Sequence, residues 1–139
     1  MGARILIVQD DEHSLQLTSF LLEAFGHLPV EARTGQQALD YVRRQPVDLV
    51  LLDLRRPKAD GRETLVAMRT APELASTPIV ALMALAGVSS RGDGPAGGFD
   101  GYIDKAITPE GFAAQIDQFL PAARQSSVRR RAARSTELV

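Results

Sequence analysis

After Pro46 the chain reads Val47-Asp48-Leu49-Val50-Leu51-Leu52, apolar but for one residue, and the run ends on Asp53. A segment that short, bounded by Pro46 and Pro57, reads as a strand rather than a helix. Its lack of alternation means that both faces are covered, as happens in a parallel sheet clad with helices. Asp53 then stands at the carboxyl end of that strand, the edge where open α/β sheets place their ligands. The loop that follows, Arg55-Arg56-Pro57-Lys58-Ala59-Asp60-Gly61, is rich in turn residues and sets Arg55, Arg56 and Lys58 beside the carboxylate.

The rest of the chain alternates in the same idiom. Arg4-Ile5-Leu6-Ile7-Val8 is a second buried strand, ending in Gln9-Asp10-Asp11-Glu12. Leu15, Leu17, Phe20, Leu21, Leu22 and Phe25 then give a helix one broad apolar face, and Gly26 stops it. Leu28-Pro29-Val30-Glu31 is a short strand whose proline predicts an edge position. Thr34-Gly35-Gln36-Gln37 fits a capping box ahead of a helix carrying Ala38, Leu39, Tyr41 and Val42. A helix from Glu63 to Thr70 faces Leu65, Val66 and Met68 inward. Ile79 to Met83 and Gly101 to Ile103 are the remaining strands. Thr108 caps a last helix with Pro109 in its first turn, packed down by Phe112, Ile116, Phe119 and Leu120. Strand and helix alternate five times, which predicts a parallel sheet with right-handed crossovers.

One link is weak. A fourth helix is due between Ala86 and Asp100, yet that stretch holds glycines at 87, 92, 94, 97 and 98 and Pro95. Each interior glycine costs roughly 1 kcal/mol of helix propensity and a proline about 3. Val88 and Phe99 are too few apolar anchors to offset that, so a degraded helix with a mobile loop is expected.

Composition narrows the function classes. The chain has 139 residues and no cysteine, which excludes disulfides and thiolate metal sites and gives no sign of an oxidising compartment. The amino terminus is too sparsely apolar for a signal peptide or membrane span, so a cytoplasmic protein is expected. Residues 121–139 carry five arginines against one acid, whereas residues 1–120 are net acidic by five charges. One domain over 1–120 with a basic, flexible tail over 121–139 is the expected organisation. The tail lacks aromatic residues interleaved with its arginines, so nucleic acid is not the expected partner. His13 and His27 show no ligand spacing.

Asp10, Asp53 and Lys105 fall just past the first, third and fifth strands. In a five-stranded doubly wound sheet of order 2-1-3-4-5 the first and third strands are neighbours at the switch point. Asp10 and Asp53 would then be close, and two such carboxylates repel unless a cation joins them. Mg²⁺, which takes oxygen ligands and keeps waters, is the natural guest, with Lys105 reaching toward the same point. A metal, a carboxylate nucleophile and a fixed cation are what phosphoryl transfer to an aspartate needs.

Across about residues 3–120 the chain resembles the receiver domain of two-component response regulators. The landmarks are Asp10, Leu51-Leu52-Asp53, Pro57, Asp60-Gly61, and Gly98-Phe99-Asp100-Gly101-Tyr102-Ile103-Asp104-Lys105. The resemblance implies a flavodoxin-like α/β fold of order 2-1-3-4-5, and Asp53 as acceptor of a phosphoryl group from a histidine kinase or phosphotransfer protein. It implies Mg²⁺ held by Asp10, Asp53 and the backbone carbonyl of Arg55, Lys105 paired to the phosphoryl, and Tyr102 as the rotating aromatic switch. A downstream protein would bind the face of the fourth and fifth strands, with the receiver a monomer or weak homodimer and no conventional enzyme.

Four positions depart from the family pattern. Gln9 stands where a second acid is usual; it can still orient a metal-bound water, but Mg²⁺ should bind weakly, since attraction at such range is worth a few kcal/mol at an effective dielectric of ~20. Asp11 is placed to compensate in part. Met83 replaces a hydroxyl residue whose hydrogen bond to the phosphoryl is worth ~1.5–3 kcal/mol. Ala106 follows Lys105 where proline is usual, and Arg56 replaces an apolar residue before Pro57. The rival reading is a pseudo-receiver, an interaction module that works without phosphate. A haloacid-dehalogenase-like phosphatase would need an acid two residues after its nucleophile, and Arg55 is there instead.

Overall fold

Unbroken apolar runs take the middle of the sheet, and the run that contains a proline takes its rim. The computed structural model describes residues 2–53, 60–83, 99–104 and 109–121. In chain order these form β1 (Arg4–Val8), α1 (Glu12–Ala24), β2 (Leu28–Ala32), α2 (Gly35–Val42), β3 (Leu49–Asp53), α3 (Asp60–Arg69), a single 3-10 turn (Pro72–Leu74), β4 (Ile79–Met83), β5 (Gly101–Asp104) and α4 (Pro109–Asp117). The strands pair in the order β2-β1-β3-β4-β5, every pair parallel. The sheet is the expected flavodoxin-like, doubly wound one, with β2 and its Pro29 at one edge and β5 at the other.

Strand alternation divides the core in two. Ile5, Ile7, Leu49, Leu51, Val80 and Leu82 point to one side and pack against α1 and α4. Leu6, Val8, Val50, Leu52 and Ile79 point to the other and meet α2 and α3. Each such fully buried side chain contributes about 1.5–3 kcal/mol of apolar transfer. A strand covered on both faces has no position at which alternation could appear, which is why β1 and β3 read as solid apolar runs.

Helix ends follow their local chemistry. Asp11, in extended backbone, accepts the Ser14 N–H at 2.9 Å and caps α1. The helix closes with Gly26 at φ 90°, the Gly26 N–H bonded to Glu23 O and the His27 N–H to Leu22 O, so the left-handed residue frees two carbonyls to be satisfied. Thr34 caps α2 through the Gln37 N–H, and the Gln37 side chain returns to the Arg33 N–H rather than to that of Thr34.

Four expectations need correction. Leu17 and Phe20 are 55% and 66% exposed: at 100° per residue they lie on the side of α1 opposite Leu15, Ser19 and Leu22, and a helix on a sheet buries one stripe only. Val66, 63% exposed, turns out of the stripe made by Leu65 and Met68 for the same reason. Val47 precedes β3 instead of opening it, and α3 starts at Asp60, three residues before Glu63. The expected degraded fourth helix, between Ala86 and Asp100, falls almost wholly at 84–98, outside the described residues, as do 122–139 of the tail.

His27, to which the sequence assigned nothing, has a structural place. Its Nδ1 accepts the N–H of Ala3 at 3.0 Å, and its Nε2 faces the buried Asp117 carboxylate at 4.0 Å. The contact fastens the last helix to the start of β1 and of β2.

Candidate functional site

Register fixes what meets what at the carboxyl edge of the sheet. Val8 is level with Leu52 in the β1–β3 ladder, so the next residues, Gln9 and Asp53, come side by side. The Gln9 backbone N–H still bonds to Ala32 O at 3.1 Å, which holds the residue in the line of β1 and aims its side chain. Its amide Nε2 donates to Asp53 Oδ2 at 3.2 Å, with Gln9 2% and Asp53 3% exposed. An ionised carboxylate only accepts, so the NH₂ side of the amide must face it. The other amide atom, Oε1, is buried without a hydrogen-bond partner among the described residues.

Asp10 follows Gln9 and is exposed at the same edge. Asp11, offered as a partial substitute for the missing acid, is the N-cap of α1, with Oδ2 accepting the Ser14 N–H. Tyr102 lies on the edge strand β5 and is 43% exposed, level with Ala81 of β4. The backbone of Met83 ends β4 opposite Asp104. Lys105, Arg55, Arg56 and Ala106 lie outside the described residues. The geometry therefore joins Gln9, Asp53 and Asp10 at one end of the sheet.

A cleft of about 120 Å³ opens between α1 and α4 beside this cluster, its wall including Gln9, Ser14, Thr18, Leu82 and Phe112. Among the described residues no three His, Asp or Glu side chains group as a protein-only metal cage. Mg²⁺ needs no such cage, since it commonly sits on one or two carboxylates and keeps its waters. A buried carboxylate at Asp53 and an exposed one at Asp10 are oxygen donors, which fit a hard, hydrated cation.

The sequence profile of the response regulator receiver domain matches residues 5–117. The chain belongs to the response regulator receiver family. Among curated relatives, this receiver is 32% identical over 120 residues to the polar-differentiation response regulator DivK of Brucella ovis, covering 86% of the present chain and 98% of that one. Among solved structures, chemotaxis response regulator CheY4 of Vibrio cholerae superposes with a TM-score of 0.74 at 25% identity, covering 86% and 100% of the two chains. The receiver domain of the sensor histidine kinase PA1611 from Pseudomonas aeruginosa, solved with a magnesium ion in its active-site cleft, matches with a TM-score of 0.74 at 25% identity, over 86% and 98%. Receivers of this family are signalling modules of two-component systems, and none of the described helices here is long and apolar enough to cross a membrane.

What sequence reasoning missed is the direct bond between Gln9 and Asp53. The sequence suggests a support for a metal-bound water, and the structure adds that the amide nitrogen is turned to the Asp53 carboxylate. The signal was available: two residues at the carboxyl ends of adjacent parallel strands, one an amide and one an acid, have a donor and an acceptor to exchange.

Proposed function

We propose that this receiver, residues 1–120 with a basic appendage over 121–139, takes a phosphoryl group on Asp53 from a histidine kinase or phosphotransfer protein in the cytoplasm. The observation that carries the reading is a buried carboxylate at the carboxyl end of β3, next to the end of β1, in a chain of the receiver family. Asp10, Asp53 and the carbonyl of Arg55 would hold Mg²⁺, which neutralises charge on the transferring group. The Asp53 oxygen attacks the phosphorus as its bond to the donor's histidine nitrogen breaks and the imidazole leaves, Lys105 pairs with the transferred group, and the result is an altered surface on β4 and β5, including Tyr102, that changes which protein binds. Catalysis is limited to phosphoryl transfer onto and off Asp53 itself.

A second reading, a pseudo-receiver that binds partners without phosphate, is favoured by the Gln9–Asp53 bond, which occupies the acceptor carboxylate, and by Met83 and Ala106. One experiment separates the two. Wild type and Asp53→Asn are incubated with Mg²⁺ and acetyl phosphate, or with a beryllofluoride mimic, and read by intact mass and NMR. A mass gain of one phosphoryl group in wild type alone is expected. An unmodified wild type with no Mg²⁺-dependent spectral change sinks the phosphorylation reading.

A further inference from the structure

An acid at position 9 could not make the contact that glutamine makes, because two adjacent carboxylates repel. The amide N–H instead lends Asp53 a partial positive charge from within the protein. The bond lies at the long end of the N–H···O range, at 3.2 Å, and is buried on both sides. Oε1 of the same amide is buried without a hydrogen-bond partner among the described residues. A side chain that tolerates an unsatisfied oxygen in that setting is held by its other end, the bond to Asp53.

The surroundings give the amide somewhere else to go. Gln9 forms part of the wall of the cleft between α1 and α4, together with Ser14 and Thr18. The Thr18 hydroxyl donates its proton to Ser14 O at 2.9 Å, which leaves its lone pairs to accept. A turned amide thus has both room and an acceptor in the cleft.

We infer that Gln9 is a positioning residue that competes with a divalent cation for Asp53, its N–H holding Oδ2 until the amide turns into the cleft and admits the ion. A cation approaching Oδ2 meets the positive end of the N–H dipole, so the glutamine opposes metal entry actively as well as lacking an acid's charge. The inference rests on the reading of Asp10 and Asp53 as a cation site.

Calorimetric titration of Mg²⁺ into the full chain tests it, comparing wild type, Gln9→Met and Gln9→Glu. Methionine keeps the length and bulk of glutamine and removes the donor. Gln9→Met is expected to bind Mg²⁺ about three- to tenfold tighter than wild type, the release of one charge-assisted hydrogen bond. Gln9→Glu should gain more than about tenfold. Unchanged or weaker binding by Gln9→Met overturns the competition. In wild type, which needs no substitution to fold, the Gln9 side-chain NH₂ resonances should shift as Mg²⁺ saturates the site, because their acceptor changes. Resonances that stay in place at saturation overturn it equally. If Gln9→Glu binds Mg²⁺ and Gln9→Met gains nothing, the inference fails while the cation site stands. If none of the three binds Mg²⁺, the site reading itself fails and takes the inference with it.

Discussion

Replacing Asp100 with alanine removes one oxygen that serves two elements. Asp100 Oδ2 accepts the backbone N–H of Ile79, the first residue of β4, at 2.7 Å, and also receives the Arg69 guanidinium from the end of α3. Ile79 is 0% exposed, so without the carboxylate its N–H is stranded inside the protein, at a cost of about 1–3 kcal/mol. The ion pair adds little: the Arg69 and Asp100 side chains are 30% and 46% exposed, and such pairs are worth at most about 1 kcal/mol after solvent screening. Asp100→Ala should therefore destabilise by about 2–3 kcal/mol. Asp100→Asn keeps the acceptor for Ile79, loses only the charge and should cost about 1 kcal/mol or less. With a urea slope of about 1.5 kcal/mol/M, the alanine variant's midpoint should fall by roughly 1.3–2 M and the asparagine variant's by less than about 0.7 M. Urea unfolding followed by far-ultraviolet circular dichroism reads both, and Arg69→Ala should behave like Asp100→Asn. A midpoint for Asp100→Asn as low as that of Asp100→Ala would show that charge, not the Ile79 acceptor, holds the edge, and would refute the reasoning.

The adjacent acids at 10 and 11 should separate cleanly: Asp11→Ala costs about 1 kcal/mol of stability through the lost α1 cap and leaves Mg²⁺ affinity within about twofold, whereas Asp10→Asn lowers that affinity at least about tenfold with little loss of stability. A titration showing the two reversed would move the ligand to Asp11. His27→Leu strands the N–H of Ala3, itself 0% exposed, and should cost about 2–3 kcal/mol. A calorimetric Tm unchanged by that substitution would mean that the Ala3 N–H finds another acceptor.

The sheet was legible because its signal is local. Runs such as Ile5–Val8 and Leu49–Leu52 need no tertiary knowledge to be read as strands covered on both faces, and proline at 29 announced an edge. Helix faces were less legible. Leu17, Phe20 and Val66 are apolar, but which residues of an apolar-rich helix are buried depends on how the helix is rotated over the sheet, and composition alone does not set rotation. At the site, the positions of Asp10 and Asp53 followed from strand ends plus topology. The roles of Gln9 and Asp11 did not, because a side chain's partner depends on a register between strands or on a backbone N–H one turn away. His27 was opaque for the same reason: its partners, Ala3 and Asp117, lie 24 and 90 residues distant in the chain.

The last helix descends from the end of the sheet that carries Asp53 to the opposite end. There Asp117 meets His27, and the Phe119 ring lies so close to Gly101 that an added Cβ would come within 2.5 Å of it. Any cargo fused directly after residue 121 is accordingly tethered at the pole remote from the Gln9–Asp53 end of the sheet. Tags, fluorescent reporters or immobilising linkers attached there leave that end unobstructed. An attachment ahead of Arg4 would crowd the Ala3–His27 contact instead.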